Sequence, residues 1–178
     1  LPYYIILKME YTELLEKQII GRLKVDNPWW TEGHIPDYIS NMSPRLYLNI
    51  FYPLVQERDI RRATILMGPR RVGKTILMYH AIQRLINEGV SPQNIIYISV
   101  ETPIYNKIYL EQLFILACST LGKTPNKEQM YMFYDEIQYL KNWEVELKSL
   151  VDTYFNVKFI ASGSAAAELK KRSDESGA

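Results

Sequence analysis

The string "GPRRVGKT", Gly68 to Thr75, fits the spacing G-x-x-x-x-G-K-[ST]. Each residue type in it suits the binding of a triphosphate. Glycines at Gly68 and Gly73 let the backbone turn its N–H groups inward around phosphate oxygens, where a Cβ would obstruct them. Lys74 sets a point charge against the β- and γ-phosphates, and the Thr75 hydroxyl can ligate Mg²⁺. A helix starting here aims its N-terminal dipole at the same anion. The residues expected to hold nucleotide are Gly68, Pro69, Arg70, Arg71, Val72, Gly73, Lys74, Thr75 and Ile76. Arg70 and Arg71 either touch phosphate or stand solvated.

A second cluster follows about sixty residues later, where "MYMFY" runs directly into Asp135 and Glu136. Five apolar or aromatic residues in a row read as a parallel strand buried on both faces, and ligands bind beyond the carboxyl ends of such strands. Asp135 is expected to hold Mg²⁺ together with Thr75, and Glu136 to act as general base on the attacking water. Taken alone, an Asp-Glu pair after a strand can equally cap the next helix. Further on, "VKFIASGSA" brings Ser162 and Ser164 to the same edge. Their hydroxyls either sense the γ-phosphate and orient water, as catalytic groups, or serve as turn and cap residues. Gln138 either follows the bound nucleotide or opens a solvated helix, and Trp143 reads as core.

These residues need a parallel α/β sheet to bring them together. After Arg62, short apolar runs alternate with helical patterns. Buried strands are expected at 63–67, 95–100, 130–134 and 157–162, and helices at 75–87, 109–120 and 144–154, with a last helix at about 165–172. Gly89 is the stop signal of the first of these helices.

Residues 1–60 are expected to form a helical and irregular extension packed on a P-loop core of 61–178, with that core expected to be incomplete at its C-terminal end. Within the extension, Tyr11, Leu14, Leu15, Ile19, Ile20 and Leu23 recur at helical spacing. The turn-rich "DNPWWTEGHIPDYISNMSP" follows. Ser43 and Pro44 then read as an N-cap and first helical position, with Leu46, Ile50 and Leu54 on one face and Pro53 ending or kinking the helix.

Composition excludes more than it assigns. The 178 residues are 47% hydrophobic and 23% charged, with a formal charge of +1. That balance gives no bulk signal for nucleic acid or an anionic membrane. A single cysteine, Cys118, rules out an internal disulfide and a multi-cysteine metal site, and it suits a reducing cytoplasm. No stretch approaches the eighteen or so apolar residues that a membrane span requires. The sequence marks a soluble, cytoplasmic chain.

"GPRRVGKT", "YMFYDEIQYLKNW" and "VKFIASGSA", taken in order with "DNPWW" ahead of them, resemble the ATPase domain of a large set of predicted archaeal and bacterial ATPases in the AAA+ superfamily. The resemblance covers about residues 25 to 170. It implies a P-loop sandwich with strand order 5-1-4-3-2, with Lys74, Thr75, Asp135 and Glu136 as Walker A and B groups. It also implies Ser162 or Ser164 as sensor, and ATP and Mg²⁺ as ligands. By analogy, Pro28, Trp29 and Ile60 are adenine candidates.

Such ATPases continue with a fifth strand, a trans-acting arginine and a further domain. The run Lys170, Lys171 and Arg172 either includes such an arginine or forms a solvated helix end. The expected function is Mg²⁺-dependent ATP hydrolysis driving a change in an attached module, a partner protein or a homo-oligomer. The alternative is a nucleotide-gated switch that recruits DNA or protein. A small-molecule phosphotransferase fits less well, because an acidic pair suits the activation of water.

Overall fold

The computed structural model describes residues 3–105 and 108–164. Four strands, β1 (Thr64–Gly68), β2 (Ile95–Ser99), β3 (Met130–Asp135) and β4 (Val157–Ser164), form one parallel sheet in the order β1-β4-β3-β2. Parallel neighbours need long crossovers, and the helices supply them. The helices are α1 (Tyr3–Asp26), α2 (Trp29–Glu32), α3 (Asp37–Ser40), α4 (Leu48–Gln56), α5 (Lys74–Asn87), α6 (Leu110–Thr120) and α7 (Trp143–Thr153). The strand that carries "VKFIAS" lies between the phosphate-loop strand and the acidic strand, as the resemblance implies.

Burial follows position in the sheet. β3 and β4 are central and buried at every residue, which is why their sequences read as unbroken apolar runs. β1 is expected to be buried throughout, but it lies at an edge among the described strands, and Ile65 and Met67 are exposed. α3 and α4 pack on α5, while α6 and α7 pack on each other. The Tyr134 hydroxyl donates to Leu110 O at 2.8 Å, and Phe114 meets Phe159 edge-on, so α6 covers the sheet face opposite the one that carries Asp135.

α5 buries Leu77, Met78, Ala81, Ile82 and Leu85, one stripe of an amphipathic helix. It ends where Gly89 adopts φ +95°. Gly89 N–H then reaches Ile86 O and Val90 N–H reaches Leu85 O, both at 3.0 Å, a Schellman closure that an L side chain at Gly89 would strain. Cys118 is buried in α6, and burial pushes its thiol up to about 12, so it behaves as a small hydrophobe.

The segment after α1 seals the exposed edge of the sheet. Asn27 Oδ1 accepts from Tyr97 N–H at 2.6 Å, and Asn27 Nδ2 donates to Tyr97 O at 2.8 Å. Trp29 Nε1 and Trp30 Nε1 both donate to Ile95 O, at 3.0 and 2.8 Å. An amide and two indoles thus take up main-chain groups that an edge strand would offer to another chain. Trp29 is fully buried. Trp29→Ala is expected to cost about 3–5 kcal/mol of stability, since truncating a buried aromatic leaves a cavity. A urea unfolding curve read by tyrosine fluorescence measures it.

The start of α4 differs from the sequence expectation. Ser43 and Pro44 do not cap it. The helix begins at Leu48 after a turn in which Leu48 N–H reaches Arg45 O, and it runs past Pro53 to Gln56. The buried set is Leu48, Phe51, Tyr52 and Val55, whereas Leu46, Ile50 and Leu54 are 86%, 67% and 41% exposed. The helix "LNIFYPLVQ" is apolar on both sides, so spacing alone could not choose the inward face. In α1, Ile19 and Leu23 face the core but Leu14 is exposed. The expected helix at 165–172, with Lys170, Lys171 and Arg172, lies outside the described residues. Among the described residues no helix is long and apolar enough to cross a membrane.

Candidate functional site

The loop between β1 and α5 carries two left-handed residues, Arg71 at φ +64° and Gly73 at φ +87°. At Gly73 the conformation favours glycine, while a Cβ would meet only the movable end of the Arg45 side chain, 2.9 Å from its guanidinium carbon. At Gly68 a Cβ would make only ordinary contacts, 3.6 Å to Val72 and 3.8 Å to Lys74. Lys74 is buried, and its Nζ donates to the loop's own Gly68 O and Pro69 O at 3.2 and 2.8 Å. The ammonium is therefore held over the loop by two neutral acceptors that anionic oxygens could replace. Arg70 Nη2 donates to the Tyr139 hydroxyl at 3.1 Å. Val72 O accepts from Arg45, and Ile76 packs against the core.

Asp135 ends β3 and is almost fully buried. Its Oδ2 accepts from Thr75 Oγ1 at 2.7 Å and from the Tyr97 hydroxyl at 2.8 Å. Its Oδ1 accepts from Ser162 Oγ and, at 3.1 Å, from Glu136 N–H. Four donors occupy the four lone-pair positions of a carboxylate. Register explains Tyr97: Ser99 lies opposite Asp135 across the β2–β3 pair, and Tyr97 is two residues earlier on the same face. Burial, and after it the negative charge of Asp135, hold the Tyr97 phenol well above its ordinary value, so it stays a donor. Tyr97→Phe is expected to cost about 1.5–3 kcal/mol in the nucleotide-free chain, the range for a hydrogen bond to a charged group. Paired urea melts of parent and variant measure it.

Glu136 is placed differently. It adopts φ +54°, an uncommon conformation for a non-glycine residue, and its carboxylate is 4.0 Å from Lys74 Nζ. Gln138 Nε2 donates to Glu136 Oε2, while Gln138 Oε1 accepts from Ser164 N–H at 3.0 Å. Gln138 is buried rather than solvated, and it ties Glu136 to the end of β4. Gly163 leaves room for it: a Cβ there would lie 3.1 Å from Gln138 Oε1 and 2.9 Å from Met67 Sδ. Ser162 joins the carboxylate cluster and also accepts from Glu136 N–H at 3.2 Å. Ser164 is buried, with no partner for its hydroxyl among the described residues. Trp143 is buried core.

A cavity of about 350 Å³ adjoins the loop. Arg45, Tyr47, Leu66, Met67, Val72 and Leu77 line it beside Gly68, Pro69, Gly73 and Lys74. Arg45 Nη1 donates to Val72 O at 2.6 Å. Neither Arg45 nor Tyr47 is singled out by the sequence, where both sit in a turn-rich stretch. The adenine candidates lie elsewhere: Trp29 is sealed against β2, Ile60 lines a pocket at the other end of the sheet, and Pro28 does not line this cavity.

The donor set fits Mg²⁺. The Thr75 hydroxyl keeps a lone pair for the ion while it donates to Asp135, and Asp135 would exchange one of its four donors for a metal-bound water. Among the described residues no group of three or more His, Cys, Asp or Glu forms a separate metal cage. A magnesium ion held by few protein ligands relies on substrate phosphates and water for the rest.

Comparison with known proteins agrees on the core. A family model described as an AAA domain matches residues 60–178. An uncharacterised protein of Methanocaldococcus jannaschii is 31% identical over 118 residues, covering 66% of this chain and 24% of that protein. An uncharacterised protein of Haemophilus influenzae is 28% identical over 119 residues, covering 66% and 29%. The chain thus spans under a third of these relatives. The structure of PCH-2 from C. elegans aligns at a TM-score of 0.41 and 16% identity, covering 76% of this chain and 40% of that one. With a phosphate-type loop, a parallel sheet and a family model that matches residues 60–178, this chain belongs to the AAA domain family.

Proposed function

We propose that the chain binds ATP with Mg²⁺ at the loop Gly68–Thr75 and hydrolyses it. The observation that carries this reading is the 2.7 Å bond from Thr75 to Asp135, with Glu136 facing Lys74 at 4.0 Å. It joins residues sixty positions apart into one cluster at the end of the sheet. The loop amides and Lys74 hold the β- and γ-phosphates, Lys74 exchanging its two loop carbonyls for phosphate oxygens. Thr75 and Asp135 would hold the magnesium ion, which neutralises charge on the phosphates. Glu136 takes a proton from water as its oxygen attacks the γ-phosphorus, giving ADP and inorganic phosphate. The base occupies the cavity lined by Tyr47, Leu66 and Leu77. Under this reading the chain works in the cytoplasm, and turnover moves an attached module, a partner protein or a second copy.

One observation favours a second reading. Gln138 engages the Glu136 carboxylate, and a chain in which it never lets go would bind ATP without turning it over. Such a chain is a nucleotide-gated switch that recruits DNA or protein. Single-turnover hydrolysis, with and without DNA, separates the two. Phosphate release at a steady rate supports the enzyme; tight, intact ATP sinks it in favour of the switch.

A further inference from the structure

At the opposite ends of the strands a second pocket, of about 210 Å³, is lined by Glu57, Arg58, Arg61, Arg62, Phe155 and Lys158, among others. Five strand residues at about 3.3 Å each put roughly 16 Å between it and the phosphate loop. The volume is far more than one water occupies.

Its charges do not balance. Glu57 is the only acid in the lining, and its Oε2 already accepts from Arg62 Nη2 at 2.9 Å. Arg58, Arg61 and Lys158 remain. Lys158 is 3% exposed, yet its ammonium, with three protons to give, makes only one long bond, 3.3 Å to Arg62 O. Burial lowers the Lys158 pKa, while Glu57 raises it less, so the charged form is poorly compensated. Arg58 uses its two terminal nitrogens on Asn156 O and Met130 O, at 3.1 and 3.0 Å, and lies over the Tyr131 ring at 4.3 Å. Its Nε is buried with no partner.

A purely structural role explains the two terminal nitrogens of Arg58. It leaves Arg58 Nε without an acceptor and the Lys158 ammonium with one long bond to Arg62 O, and desolvated cations lacking counter-charge destabilise a fold. An oxyanion supplies the missing acceptors. Arg61 is exposed and sits 5.7 Å from the Phe155 ring, and Phe155 is itself 60% exposed, so an exposed cation and an exposed aromatic ring flank the mouth. An exposed ring with a guanidinium over it suits a phosphate that carries a base.

We propose that this pocket binds a phosphate group of a second ligand, separate from the nucleotide at Lys74. The source is either the backbone of single-stranded nucleic acid or a free small phosphate. The proposal does not depend on ATP hydrolysis.

The test uses the 178-residue chain carrying Lys74→Ala, which silences the phosphate loop. It is titrated calorimetrically at low salt with pyrophosphate and with an oligothymidylate of about 20 nucleotides. At least one is expected to bind, with affinity falling roughly tenfold in Arg61→Glu and vanishing in Lys158→Met. Should Lys158→Met fail to fold, the exposed Arg61→Glu decides alone. Tighter oligothymidylate binding that Phe155→Ala weakens, with a salt slope reduced by about 1 in Arg61→Glu, assigns nucleic acid. Pyrophosphate binding alone assigns a free phosphate. If neither ligand binds, or if Arg61→Glu leaves binding unchanged, the pocket is not a phosphate site.

Discussion

Glu136→Gln is expected to bind Mg·ATP as tightly as the parent, or more so, and to lose about 10²–10⁴ of its hydrolysis rate, the range for a removed general base. Two adjacent carboxylates differ here in what surrounds them. Asp135 is almost fully buried and has all its lone pairs occupied, by Thr75, Tyr97, Ser162 and the Glu136 amide. A carboxylate so engaged orients its partners. Glu136 is partly exposed and has Gln138 as its side-chain donor, so water can reach it. The glutamine amide keeps an oxygen for Gln138 and removes only the basicity and the charge. With that negative charge gone from beside Lys74, repulsion of the incoming triphosphate falls. Single-turnover phosphate release, measured beside equilibrium binding of ATP, reads both effects. A glutamine variant that turns over like the parent would remove Glu136 from the role of base.

How much of this was legible depends on whether chemistry or register decided it. The loop was readable because backbone N–H groups, a lysine and a hydroxyl at fixed spacing have few other uses. β3 was readable because "MYMFY" could be satisfied only by cover on both faces. Tyr97 was not. In "IIYIS" a tyrosine looks like one more buried aromatic, and only the β2–β3 register turns its hydroxyl toward Asp135. Asn27, Trp29 and Trp30 read as turn residues, because nothing local shows that side chains will replace a missing strand along β2. α4 failed for a different reason: both its faces are apolar, and the choice between them lies in what α5 presents. Arg45 reached the phosphate loop through a tertiary contact 27 positions away, which composition cannot show.

Lys74→Ala is expected to abolish nucleotide binding at working concentrations while leaving the chain folded. An ammonium about 4 Å from a phosphate charge, at the effective dielectric of a protein surface, contributes on the order of 4 kcal/mol, or roughly a thousandfold in affinity. The contacts of Lys74 show why the fold should survive. Lys74 Nζ donates only to Gly68 O and Pro69 O, in a loop whose shape is also set by the left-handed Gly73 and by Arg45 on Val72 O. Thr75 remains tied to Asp135 at the first turn of α5, so the helix start is retained. Glu136 loses its neighbouring cation, but it is partly exposed and still bonded to Gln138. The measurement is thermal unfolding with and without Mg·ATP. Parent stability should rise by about 2.7 kcal/mol at a hundredfold excess of ATP over its dissociation constant. The variant should melt close to the nucleotide-free parent and show no rise at the same ATP concentration. A variant that is still stabilised would mean that the loop amides alone hold the triphosphate and that Lys74 serves only to close its own loop.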